Sequence, residues 1–162
     1  GAAALGLDLT VAQTKTLLDI TTGQIGATAT NDSAAAGKVG ELIQQTFSGV
    51  NVPTGTNTNV AQITLTAGDW DIFSNCSLAG SGAGVWTSNF LGVNTVSATF
   101  PAVGNYVSDN SAGFGTSSTQ GYLAPGLPVS ISGSTTYYLV AQANFTTGSI
   151  AASGGLYARR RR

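Results

Sequence analysis

Thr135-Thr-Tyr-Tyr-Leu-Val-Ala-Gln-Ala-Asn-Phe145, followed at once by Thr146-Thr-Gly148 and Ser149-Ile-Ala-Ala-Ser-Gly-Gly-Leu-Tyr-Ala158, decides the fold class. Tyr137, Leu139, Ala141, Ala143 and Phe145 alternate with Tyr138, Val140, Gln142 and Asn144, the period of two that puts one set of side chains on one face of a strand. Ile150, Ala152, Gly154 and Leu156 repeat the period after the Thr-Thr-Gly turn, which reads as a hairpin of two strands.

Working outward, the same period extends back to Asn51. Val60–Thr66 is a predicted strand with Ile63 and Leu65 on one face, and Ala67-Gly68-Asp69 is a turn. Trp70–Leu78 and Trp86–Thr99 are two further strands, and Pro101–Gln120, rich in Ser, Gly and Asn, reads as loop. A short strand is expected after Pro128, a residue barred from central strand positions. Short strands at this spacing describe an antiparallel sandwich or jelly roll.

The first 50 residues differ. Leu5, Leu7, Leu9, Val11, Leu17, Leu18 and Ile20 punctuate an Ala/Thr/Gln-rich stretch, with Asp8 or Thr10 as the cap of a helix running to about Ile20. Residues 1–22 are therefore read as a helical segment, and 23–162 as the β-sandwich domain. Gln24–Thr30 is a candidate strand. Asn31-Asp-Ser33 resembles a cap for a short helix over about 33–47, in which Val39, Leu42, Ile43 and Phe47 recur at helical spacing.

Composition narrows function. Charged residues make up 8% of the 162-residue chain, against roughly 25% in ordinary domains. Four of the six basic residues are Arg159 to Arg162, so the body is mildly acidic and lacks the basic footprint of a nucleic-acid binder. The arginine run is read as pairing with neighbouring subunits or as solvated. No apolar run approaches the ~20 residues of a membrane helix. A chain opening on Gly1 reads as a fragment or a processed product.

Catalytic equipment is sparse. With no histidine, imidazole-based triads and most zinc sites are excluded. The lone Cys76 falls in phase with Trp70, Ile72 and Leu78, as a buried core residue would, an interchain bond or a reactive thiol being the alternatives. Asp69 and Asp71, spaced for one strand face, are the nearest approach to a carboxylate pair, and read as a turn residue and an outward polar residue. No enzyme activity, cofactor or metal is expected. The sequons at Asn31, Asn75 and Asn144 read as incidental to a Ser/Thr/Asn-rich chain. Trp86, Tyr106, Phe114 and Tyr122, in or near Gly/Ser/Asn segments, are the candidate ligand contacts, since an exposed ring stacks on a sugar; for Trp86 and Tyr122 a place in the core or in a subunit interface is the competing reading.

Gly26–Glu41, Ile63–Asp71, Tyr137–Ala143 and Leu156–Arg160, taken in order, resemble the C-terminal β-domain of tailed-bacteriophage structural proteins, the minor virion components that include tail fibres and head fibres. The resemblance implies a jelly-roll sandwich in the virion, a homotrimer at the tip of a fibre with residues 1–22 as a helical neck or fibre-stem remnant, contact with other virion proteins, and receptor binding to a host-surface glycan or protein during host attachment. A capsid-decorating head fibre of purely architectural role, or a secreted carbohydrate-binding or adhesin module, are the alternatives. No catalytic or ligand residue is carried over from the family.

Overall fold

The computed structural model describes Thr10, Gln13 and residues 33–110 and 118–162. Among the described residues nine strands run β1 (Leu42–Asn51), β2 (Thr58–Leu65), β3 (Gly68–Ser81), β4 (Trp86–Asn94), β5 (Tyr106–Asp109), β6 (Thr119–Tyr122), β7 (Leu127–Ile131), β8 (Thr135–Phe145) and β9 (Ser149–Arg160). All pairings between them are antiparallel.

The first sheet has the order β1-β9-β3-β6, with β7 also on β3; the second has the order β2-β8-β4-β5. β6 pairs with residues 76–79 of β3 and β7 with 68–72, so the two short strands share one edge of β3 as a single interrupted strand. Counting them as one gives two four-stranded sheets with the strand order of a jelly roll, as expected from the sequence. Pro128 sits on that edge, opposite Asp71, where its missing N–H is tolerated.

The core lies between the sheets. Trp70, Ile72 and Leu78 of β3 and Ile150, Ala152 and Leu156 of β9 face Leu65, Leu91, Leu139 and Ala141 of the second sheet, all essentially without exposure. Cys76 is buried among them as a free thiol.

Three expectations are corrected. The strands of Thr135–Phe145 and Ser149–Arg160 are not hairpin partners: β8 pairs with β2 and β4, whereas β9 pairs with β1 and β3. Each is a central strand with two neighbours, and their apolar rows meet face to face across the core. The predicted loop 101–120 contains β5 and the start of β6.

The helix expected over 33–47 is instead a turn followed by β1. Gly37 and Gly40 take φ of 78° and 90°, the left-handed region where a right-handed helix cannot continue. The helical spacing has a different origin. Ile43, Phe47 and Val50 all pack on the core, and between Phe47 and Val50 the strand bulges. Three steps on β1 oppose two on β9, so positions three apart return to the same face. Gly49, φ 68°, sits in the bulge and donates its N–H to Ser153 Oγ at 3.0 Å.

Thr10 and Gln13 form a reciprocal cap: Thr10 N–H donates to Gln13 Oε1 (2.9 Å) and Gln13 N–H to Thr10 Oγ1 (3.2 Å). The remainder of the helical segment 1–22, and the strand expected over 24–30, lie outside the described residues.

Candidate functional site

The structure separates the four residues expected to meet a ligand. Trp86 is fully buried in the core, its indole N–H without a partner among the described residues, so its ring offers no face to a sugar. Tyr122 is 9% exposed and turns inward: its hydroxyl accepts from Asn89 Nδ2 (3.0 Å) and donates to Asp109 Oδ2 (3.3 Å). Burial pushes the Tyr122 phenol up to about 12, with the Asp109 carboxylate adding to the effect and the Asn89 hydrogen bond opposing it. Core placement, the competing reading, is the right one for both. Tyr106 is half-buried on the outer face of the second sheet, and Phe114 lies outside the described residues.

Tyr106 belongs to a three-ring cluster with Phe90 and Phe100, centroids 5.7 to 6.2 Å apart. This outer face is roofed by the segment after β4. Val140 points outward yet is fully buried, lying between Asn59 on β2 and Gly92 on β4. Asn59 is capped by Ser97 and Ala98, and Gly92 lies under Pro101. The polar side chains here are committed to one another: Asn94 to the Thr99 carbonyl, Asn144 to Ser88, Gln142 to the Gly55 carbonyl and Thr64 to Thr136.

The outer face of the first sheet is open. Phe73 on β3 and Tyr157 on β9 are register partners whose rings stack, centroids 5.3 Å apart at 9°, with Phe73 45% exposed. A Cβ on Gly155 would overlap the Tyr157 hydroxyl and ring edge, so the hydroxyl end of that ring reaches back along β9 over Gly155. Beyond it is a shallow cleft of about 530 Å³ lined by Asn75, Ser77, Gly121, Tyr122, Leu123 and Ser153. Small outward residues make it concave, and Leu123, 71% exposed, forms a wall.

A choice of rings by their nearness to Gly/Ser/Asn segments passes over Phe73 and Tyr157, which lie within strands. The available signal was parity: each stands on the outward register of a strand whose inward register is already apolar.

Within the arginine run, Arg160 departs from the expectation, whereas Arg159, Arg161 and Arg162 are exposed. Arg160 is buried, 5% exposed, over the Trp70 ring at 4.2 Å. Its guanidinium donates to Glu41 Oε2 (2.9 Å), the Ala67 carbonyl (2.7 Å) and Thr66 Oγ1 (2.6 Å). Glu41 also accepts from Gly37 N–H at 2.8 Å, tying the turn before β1 to the end of β9. A Cβ on Gly68 would overlap the same guanidinium. Arg161 faces Asp71 at 3.6 Å, and Arg162 pairs with Asp69. Hydrogen bonds from Ser130 and from Arg162 hold the Asp69 carboxyl below its usual range. These arginines thus pair within the chain, and Asp69 and Asp71 are their partners on β3.

Among the described residues no group of three or more metal-ligating side chains converges. No family model and no curated protein matches the sequence. Two solved structures of infectious bursal disease virus align over 86% of the chain. The Gt-strain structure does so at 13% identity with a TM-score of 0.44, and the T13 viral particle at 12% with a TM-score of 0.45. The chain spans 39% and 36% of those two chains. Likenesses this distant carry no weight for fold or function, and the jelly roll rests on the strand order alone.

Proposed function

We propose that this chain is a non-catalytic structural protein of a virion, a distal fibre domain that assembles as a homotrimer beside other virion proteins and contacts the host surface. The observation that carries the reading is the jelly-roll strand order, an architecture shared by capsid and lectin domains, in a chain whose segments resemble phage structural proteins. The described ionisable groups support it. The interior is apolar apart from Ser74, the Arg160–Glu41 pair, which is consumed in holding two chain segments together, and the Asn89–Tyr122 pair that leads to the Asp109 carboxylate.

Assembly into the trimer is supported by what is left uncovered. Val85, Val96 and Val103 are 41%, 56% and 90% exposed. Burying such surface between subunits stabilises an assembly by roughly 25 cal/mol per Å², and repeated weak contacts at a fibre tip gain avidity.

Gold-labelled antibody against the chain, applied to purified particles, is expected to decorate a fibre tip, and light scattering of the isolated chain to give the mass of a trimer. Labelling confined to the head would move the chain to a capsid-decorating role. Absence from particles, or a monomer at micromolar concentration, would remove the virion placement or the trimer respectively.

A further inference from the structure

We infer that the outer face of the first sheet, at its Arg159 end, is the docking surface for the chain's own N-terminal segment, whose aliphatic residues between Leu5 and Ile20 cover the row Leu42, Tyr157 and Phe73. The inference goes beyond the virion reading and needs neither a particle nor a trimer.

Leu42 and Gln44 on β1, Arg159 and Tyr157 on β9, and Asp71 and Phe73 on β3 share the outward register. Phe73 stays 45% exposed even with its ring against Tyr157. The second sheet handles its outer face differently: residues 97–101 of the same chain fold over it, capping Asn59 and covering Gly92. No described segment does this for the first sheet.

The point of entry selects the occupant. Gly40 N–H donates to the Arg160 carbonyl at 3.0 Å, Arg160 N–H donates to the Glu41 carbonyl at 2.9 Å, and a Cβ on Gly40 would lie 3.6 Å from Ala34 Cβ. The chain before Ser33 therefore arrives where β9 ends, and Tyr157 stands ~10 Å back along that strand. Residues 21–32 reach up to ~40 Å when extended, so the tether spans that distance with slack. A helix from Val11 to Ile20, as read from the sequence, is ~15 Å long. That is enough to cross β1, β9 and β3, whose axes cover ~10 Å from first to third. Other exposed aliphatic groups lie farther off: Val85 is bonded to Thr146 at the end where β9 begins, and Val96 adjoins the roof of the second sheet.

Charge agrees with the apolar match. Arg159 is exposed and has no ion pair among the described residues, and Arg161, 3.6 Å from Asp71, keeps 57% of its side chain exposed. The segment brings Asp8, Asp19 and Asp32 against Lys15 alone. Leu5, Leu7, Leu9, Leu17, Leu18 and Ile20 gain roughly 25 cal/mol for each Å² they remove from water, and the row offers the nearest apolar surface. The cleft with Gly121 and Leu123 lies beyond Asn75, on the far side of the row, and stays open.

The test compares amide spectra of the isotope-labelled full chain with those of Leu17→Ser combined with Leu18→Ser, substitutions outside the sandwich. The amides of Gln44, Phe73 and Tyr157 are expected to shift, although none is near those positions in sequence, while those of Gly92 and Gly121 stay in place. Trypsin cleavage after Lys15 is expected to be about tenfold faster in the serine pair, because burial of two leucines is lost. Arg159→Gln is expected to speed it about twofold, the effect of one exposed charge pair. A short bis-maleimide applied to Thr16→Cys with Gln44→Cys is expected to link the two within one chain. The Cys76 thiol is buried and its pKa pushed up to about 12, so it stays protonated and does not compete.

Shifts on neither face overturn the proposal, as do shifts centred on the second sheet or on Gly121, or a cleavage rate that the serine pair leaves unchanged. Cross-links found only between chains overturn it too: they would assign the row to the segment of a second copy and return residues 1–22 to a neck shared among chains.

Discussion

β8 and β9 are the central strands of their sheets, and inward they are alike: Leu139, Ala141 and Ala143 on one, Ile150, Ala152, Leu156 and Ala158 on the other, all fully buried. Outward they part. The outer register of β8 carries Val140 beneath a roof of residues 97–101 and side chains committed to their neighbours. That of β9 carries Ser153, Gly155 and Tyr157 beside an open cleft. The difference teaches that the fold is held by what the strands share, and that any recognition chemistry belongs to what they do not. A strand's inward residues must be apolar whatever the protein does; its outward residues are free to vary.

If the inward faces are equivalent, the same insult must do the same damage. Leu139→Asp and Leu156→Asp each place an unpaired carboxylate between the sheets, and each is expected to cost at least ~4 kcal/mol, enough to unfold a domain of ordinary stability. Urea titration by tryptophan fluorescence measures it. A native-like midpoint for either variant would show that its strand does not turn that register inward.

Next in size is the corner where β9 ends. Arg160→Ala leaves Glu41 buried without its partner and strips the guanidinium from Trp70, with an expected loss of about 3–5 kcal/mol. Arg160→Met combined with Glu41→Met is expected to recover most of that, because the two charges are then removed together. A single variant no weaker than the double would mean that Glu41 is solvated and the corner carries no tension.

How far the sequence could be read follows from the same contrast. Leu139 and Leu156 were legible as inward residues because a period of two survives any choice of partner. The partners were not legible: Thr146-Thr-Gly148 announces a turn, but a turn between neighbouring strands and a turn between opposite sheets carry the same residues. β1 failed for a local reason, since a bulge at Gly49 converts the strand period into a 4-then-3 spacing that a helix also has. For Trp86 the glycine-rich approach left both a ligand contact and a core position open; β3 runs on to Ser81 and β4 begins at Trp86 itself, leaving little loop to expose it. Phe73 and Tyr157 were within reach, had parity been applied to the aromatics as it was to the aliphatics.

Alkaline titration separates the two faces by the groups beneath the cleft. Tyr122 and Cys76 both have acidities pushed to about 12, chiefly by burial, from ordinary values of 10.0 and 9.0. A folded-state pKa raised above the unfolded one gives stability that is complete below the unfolded value and disappears as pH rises through the folded one. Stability is therefore expected to stay flat to about pH 9 and to fall toward pH 12. Tyr122→Phe should flatten part of that limb, visible as a later alkaline melting transition. An unchanged limb would mean that the phenol ionises freely and is not buried against Asn89.

The smallest expected effects come from two glycines that stand for the two outer faces. At Gly92, under the roof, an added Cβ would lie 2.8 Å from both Pro101 Cγ and Tyr106 Cβ, so Gly92→Ala must push the 97–106 segment outward. A cost of ~1–3 kcal/mol follows if the roof is packed as tightly as a core. At Gly121, beside the cleft, a Cβ meets nothing, and the backbone there is one that alanine accepts. Gly121→Ala should be neutral within ~0.5 kcal/mol, or slightly stabilising through the less flexible unfolded chain. Thermal melts of the pair measure the contrast with the smallest possible probe, a single methyl group. Equal costs at both positions would mean that the cleft is already filled, by a neighbouring subunit or by the chain itself, and the distinction between a closed face and an open one would fail.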